Sequence, residues 1–246
     1  MEWLVGLTFL VSLLTSILSG IGGGGGGFIM TPYLIFIGLS PQQAIATGKM
    51  SGIGSSVGAI TAFQGKGLVN KRLVIPFMII TALCAFVAAW LMPKIDPFIF
   101  QKIIGAILIL MIPTLFIKKA SFQPGPRSRG MVVAGFIAYT LFSFAQTMIG
   151  TGMGSLLVIV LMLLFGLTAL EANATKRVAQ SVQAVILFVL LWAQGLVVLA
   201  HGAAGLLGSS IGSHIGAHIA IKKGNTFVKY VLAGVMAVSG TILLTT

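Results

Sequence analysis

The sequence predicts an all-α polytopic membrane protein: about eight long transmembrane helices plus two short broken or re-entrant helices, in two inverted-topology repeats. Three observations predict it. Of 246 residues, 57% are hydrophobic and only 7% charged, with mean hydropathy +1.10, where soluble domains carry about 25% charged residues. At a gapless offset of 128 residues Gly22, Gly24, Gly26, Gly38, Leu39, Ala44, Ala46, Thr47, Gly67, Leu68 and Val69 all meet identical residues. The cations, finally, gather at the ends of the apolar runs and form no basic face.

Apolar runs of about 17–25 residues cross a hydrocarbon core of about 30 Å, where only helices or a closed barrel satisfy the backbone. Long segments are expected at 3–20, 42–64, 73–92, 98–117, 130–149, 169–194, 199–221 and 225–244, and short ones at 28–37 and 155–165. Residues 1–120 and 129–246 then form the repeats, joined by a cytoplasmic linker, 121–128. Met1-Glu2 supplies no basic stretch of the kind that opens a cleaved signal peptide.

The first segment ends at Gly20, and Gly22 to Gly27 are consecutive glycines through which no helix is expected to persist. Gly150-Thr151-Gly152-Met153-Gly154 repeats the break with fewer glycines. Bare backbone at membrane depth is tolerated where protein or a water-filled cavity surrounds it. Each break leads through a short apolar run into a helix start of capping-box form, Ser40-Pro41-Gln42-Gln43 and Thr168-Ala169-Leu170-Glu171. Glu171 is explained by that cap. Gly48/Gly52, Gly54/Gly58 and Gly208/Gly212/Gly216 have the small-xxx-small spacing of closely packed helices.

Lys66, Lys71 and Arg72, then Lys118, Lys119, Arg127 and Arg129, then Lys222 and Lys223, mark three connections for the cytoplasm. The 94–97 and 195–199 connections and both termini fall outside. Corresponding points of the halves then lie on opposite faces, which requires an odd number of crossings per half; re-entrant short segments would change that parity.

Broken helices direct free N–H groups and positive dipole ends at an anion near the midplane. Gly24, Gly26 and Phe28 in the first half and Gly152 and Gly154 in the second supply such ends. Lys49 and Arg177, eight positions into their helices, read as cations of the same site or as side chains snorkelling to an interface. Glu2, Asp96 and Glu171 are the only acids, so an anionic substrate is the natural counter-charge. Thr47, Ser51 and Ser55 share one helix face; Asn173, Arg177 and Gln180 share another, with Thr175 and Gln183 near it.

His214 and His218, at i and i+4, could share a proton or a metal, but no cysteine or carboxylate nearby completes a metal site, and no metal or cofactor is expected. Cys84 reads as a packed thiol. There is no acid pair, no cysteine with a positioned histidine, and no Lys-Ser/Thr after the glycines to make a phosphate loop, so an enzyme is not expected. Nucleic acid is excluded as a partner by the missing basic face with stacking aromatics.

The break Gly20-Ile21-Gly22-Gly23-Gly24-Gly25-Gly26-Gly27-Phe28, then Pro32 and Ala44-Ile45-Ala46-Thr47, with its echo Gly150-Thr151-Gly152-Met153-Gly154 and Ala172-Asn173-Ala174-Thr175, resembles the TauE/SafE family of sulfite and organosulfonate transporters along essentially the whole chain. The resemblance implies passage of a small sulfur-containing anion such as sulfite, sulfoacetate or a related sulfonate, as export across the bacterial inner membrane. A secondary transporter working by alternating access at the repeat interface is the expectation. An anion channel or a non-transporting scaffold in the lipid bilayer is the alternative, and a homodimer is open.

Overall fold

The computed structural model describes residues 2–24, 26–96, 124–149 and 154–245. The expected segment 98–117 and the residues 150–153 of the second break lie outside them. Among the described residues every regular element is helical: α1 Glu2–Gly22, α2 Gly26–Phe36, α3 Pro41–Phe63, α4 Lys71–Leu91 with a short 3₁₀ turn after it, α5 Arg129–Ile149, α6 Gly154–Phe165, α7 Ala169–Ala193 and α8 Leu199–Thr245. The expected division of the last stretch is present as a non-helical residue inside α8, Gly224, with φ 78°. Glu2–Gly22, Lys71–Lys94, Arg129–Met148 and Ala169–Ala193 are long and apolar enough to cross a membrane.

The glycine run is more helical than expected. α1 continues to Gly22 and α2 resumes at Gly26; Gly23, at φ 73°, turns the chain between them. Packing explains why helix geometry survives in glycine: a Cβ on Gly20 would lie 2.5 Å from the Ser213 carbonyl oxygen of α8. The helix penalty of about 1 kcal/mol per glycine is accepted where it lets two backbones touch.

Both capping boxes form. Ser40 Oγ accepts from Gln43 N at 3.3 Å while Gln43 Oε1 accepts from Ser40 N at 3.2 Å, and Thr168 and Glu171 repeat the exchange at 3.2 and 2.9 Å. These caps fix where α3 and α7 start, and with them the depth of Lys49 and Arg177.

Glycines set the helix directions. Gly208, Gly212 and Gly216 of α8 press on the backbone at Phe9, Leu13 and Ile17, so α1 and α8 run the same way. Gly54 of α3 meets Leu206 and Gly58 meets Ser210, which aligns α3 with both. On the other flank α4 runs with α7: Asn70 N donates to Thr175 Oγ1 at 2.9 Å, and Thr81 donates to the Ala179 carbonyl at 3.0 Å. α2 folds back along α1, bringing Met30 to Ser12 and Tyr33 to Leu4.

The hydrogen bonds of one half recur in the other with partners exchanged. Thr47 Oγ1 accepts from Val198 N at 3.0 Å, and 128 residues on from Thr47 and 128 back from Val198 the chain pairs Thr175 with Asn70. Ser209 donates to the Ser51 carbonyl at 2.6 Å, the counterpart of Thr81 on Ala179. Each half therefore completes helices of the other, and the main core joins residues of both: Phe63 and Phe77 with Tyr139, Leu157, Leu161 and Ala179.

Candidate functional site

α1, α3, α5 and α7 enclose a cavity of about 40 Å³ beside the first break, room for a few waters or one small anion. Gly23, Gly24, Lys49, Ser51, Ser55, Arg177, Gln180 and Gln183 line it. α1 adds Ser12, Thr15, Ser16 and Ser19, and α5 adds Gln146. Hydroxyl, amide and cationic groups dominate this lining, in a chain that is otherwise mostly apolar.

The two cations are held differently. Arg177, 5% exposed, donates from Nη1 to Ser55 Oγ at 2.8 Å and from Nη2 to Ser19 Oγ at 2.8 Å and to the Ser19 carbonyl. It thereby ties α7 to α3 and to the end of α1, while its buried Nε has no partner among the described residues. Lys49, 2% exposed, makes no hydrogen bond or ion pair among the described residues. Lys49 lines the cavity with no counter-charge among the described residues. Insertion scales put about 2.5–3.5 kcal/mol on a cation at a helix centre, so an anion in the cavity would relieve a strain already present. Neither cation snorkels to an interface.

Among the described residues no carboxylate lines the cavity. Glu171 is occupied in its cap, and Glu2 opens α1 at the far end from the cavity. The amides are poised as donors and acceptors: Gln180 Nε2 donates to Gln146 Oε1 at 2.6 Å, and Gln183 donates to Thr147 and to the Ser143 carbonyl. Ser51 Oγ is buried without a hydrogen-bond partner among the described residues.

The structure thus brings Gly24, Lys49, Ser51, Arg177 and Gln180 around one space. Thr47 and Thr175 are placed elsewhere, each bonded to a backbone N–H of the opposite half. Asn173 Nδ2 donates to the Gly20 and Ile21 carbonyls at 3.0 and 3.4 Å, capping the end of α1. Gly154 opens α6 against Gly23, and Gly26 and Phe28 stand in the first turn of α2; Gly152 lies outside the described residues. His214 meets Thr61 Oγ1 at 3.0 Å and lies tilted against His218 on the exposed side of α8, apart from the cavity.

Sequence reasoning missed the α1 hydroxyls, Gln146 and Lys176. The signal for the first was present: Thr8, Ser12, Thr15, Ser16 and Ser19 fall on one helical face of an apolar segment, and all are buried. Lys176, 1% exposed, donates to the Gly154 carbonyl at 3.1 Å and so pins the start of α6 beside the first break. Its repeat position is Gly48, which gave no hint of a charge.

Residues 8–243 match the family described as Sulfite exporter TauE/SafE. A "Probable membrane transporter protein" of Haemophilus influenzae is 26% identical over 92% of this chain and 89% of its own length. "Probable membrane transporter protein YfcA" of Escherichia coli K12 is 26% identical over 98% of this chain and 90% of its own. The Sinorhizobium "Probable membrane transporter protein ORF9" is 26% identical over 85% and 80%. No solved structure matches the chain. A family match of this extent, on an all-helical chain with several membrane-length apolar helices, makes the protein a multi-pass membrane transporter that belongs to the sulfite exporter TauE/SafE family.

Proposed function

We propose that the chain is a secondary transporter that exports a small sulfur-containing anion, sulfite or an organosulfonate such as sulfoacetate, by alternating access around the cavity between α1, α3, α5 and α7. One observation carries the reading: Lys49 is buried, faces the cavity and has no counter-charge among the described residues, with Arg177 bonded into the same wall. An oxyanion with several acceptor oxygens suits a wall of ammonium, serine and glutamine donors. The names of the family and of its relatives agree with transport; the sulfur oxyanion comes from the family name.

Inverted topology accompanies this reading. α1, α3 and α8 share one direction, and their repeat partners α5, α7 and α4 share the other, as the contacts of α4 with α7 and of Cys84 with Thr140 support. α2 turns back along α1, so the short segment returns the chain to the face it left. Counted as a return crossing, α2 agrees with the odd parity of the expected scheme, since α3 then runs the same way as α1. The cationic connections at Lys66 to Arg72 and at Arg127 to Arg129 share the face where α4 and α5 begin. That face is assigned to the cytoplasm of a bacterial inner membrane, with the start of α1 outside.

The test is thermal unfolding of detergent-purified protein with sulfite, sulfoacetate, taurine, sulfate, chloride and acetate. A ligand of the folded state at 100 times its Kd adds about 2.7 kcal/mol. The expected result is a melting shift selective for sulfite or sulfonates that Lys49→Ala abolishes. An equal shift in wild type and Lys49→Ala would remove the cavity as the anion site.

A further inference from the structure

The two ends of the cavity are chemically unlike. Toward the face where α1 begins, the α1 hydroxyls of the cavity wall, Ser19, Ser16, Thr15 and Ser12, are followed by buried Thr8 one turn beyond. At that outer rung three helices converge. Thr8 Oγ1 stands 3.0 Å from Tyr33 Oη of α2 and 2.8 Å from His201 Nδ1 of α8, and Tyr33 also donates to the Leu4 carbonyl at 3.2 Å. Thr8 is fully buried, while Tyr33 and His201 are half-buried, as groups closing a passage at its mouth would be.

The three pseudo-equivalent positions carry no polar side chain. Adding 128 to Thr8 and Tyr33 and subtracting it from His201 leads to Phe136, Leu161 and Leu73. All three belong to the apolar core, where Phe77 stacks on Tyr139 with ring centroids 4.0 Å apart and meets Phe165 edge-on at 5.2 Å. Internal duplication would leave these corners alike if they served packing alone. Instead one is a plug of rings and leucines, and the other is a junction of side-chain hydrogen bonds that part without exposing apolar surface.

We infer that the substrate passes between the cavity and the membrane face at which α1 begins along the α1 hydroxyls, and that the Tyr33–Thr8–His201 junction is the gate on that path. This rests on the reading of the cavity as the anion site. A hydroxyl ladder hands an anion from donor to donor, and Tyr33, Thr8 and His201 exchange their mutual bonds for bonds to it as it passes. Thr8 is then a positioning residue of the route outside the cavity that holds Lys49, and Ser12 is the outermost α1 hydroxyl of the cavity wall.

The experiment places a cysteine at Ser12, just inside the junction, in a Cys84→Ala background, and measures labelling by a membrane-impermeant methanethiosulfonate bearing a sulfonate. Vesicles of both orientations are used, with the N-terminus located by a tag. Labelling from the face of the N-terminus alone is expected, accelerated about tenfold by Tyr33→Phe or by Thr8→Val, with His201→Gln as a third route to the same effect on another helix. Labelling from the opposite face alone, rates unchanged in all three variants, or no labelling from either face in protein that still melts cooperatively would each overturn the gate. Labelling reads access alone: the gate can fail while anion stabilisation at Lys49 persists, and a labelled Ser12→Cys without anion stabilisation condemns the site and spares the path.

Discussion

Lys49 and Arg177 occupy equivalent positions of the two halves and do different work. Arg177 is committed to Ser55 and Ser19, so Arg177→Ala strands their hydroxyls and a carbonyl. Hydrogen bonds to a charged group contribute about 1.5–3 kcal/mol, and Arg177→Ala should lower stability in detergent by at least that. Lys49 has no such partner among the described residues, so Lys49→Met should leave the ligand-free protein equally stable or raise its melting temperature while removing the response to anion. Thermal melts of the two variants with and without sulfite check both statements. A large loss of ligand-free stability in Lys49→Met would mean that the ammonium has a structural partner. The sequence identified both residues through the repeat, but an offset of 128 gives position and not bonding. The distinction between a tether and a free charge emerged only from Ser19, a residue of a segment read as plain apolar helix.

Among the elements, α3 shows how glycine sets the geometry of the site. A Cβ on Gly58 would collide with the Ser210 carbonyl, and one on Gly54 with that of Leu206. Gly58→Ala should therefore push α3 from α8 and destabilise by about 1–3 kcal/mol, the range for overpacking. Gly6→Ala meets nothing within 4 Å and should stabilise α1 by about 0.5–1 kcal/mol. Equal melting shifts for the two would refute the close-contact account. Helix starts at Ser40 and Thr168 were legible because a capping box is local chemistry. The glycine run was half legible: glycine signals both a turn and a close crossing, and only contact with α8 decides that Gly20 is a crossing while Gly23 is a turn. The polar face of α1 was visible as spacing, yet serines in a membrane helix also bond their own backbone, as Thr15 does to Val11 at 2.8 Å.

At the scale of the molecule, each half finishes the helices of the other. Thr47 serves the start of α8 and Thr175 the start of α4. Thr47→Val and Thr175→Val should each cost about 1 kcal/mol, as the loss of one hydrogen bond does, and the double variant their sum, since the two bonds share no residue. Strong coupling between them in a double-mutant cycle would mean that the halves do not act as independent completions of one another. The sequence singled out these threonines because they repeat, and repetition of a bonding partner looks the same in one dimension as repetition of a ligand. The polar Tyr33–Thr8–His201 corner was legible in neither half alone, for its meaning lies in its contrast with Phe136, Leu161 and Leu73.

The central claim is that an anion crosses the membrane through the cavity that holds Lys49. Counterflow of radiolabelled sulfite in proteoliposomes tests it most directly: vesicles loaded with unlabelled sulfite or sulfoacetate should transiently accumulate label from outside, and those carrying Lys49→Ala should accumulate none. Accumulation by Lys49→Ala at the wild-type rate would contradict the claim, and so would wild-type protein that accumulates no label although sulfite stabilises it.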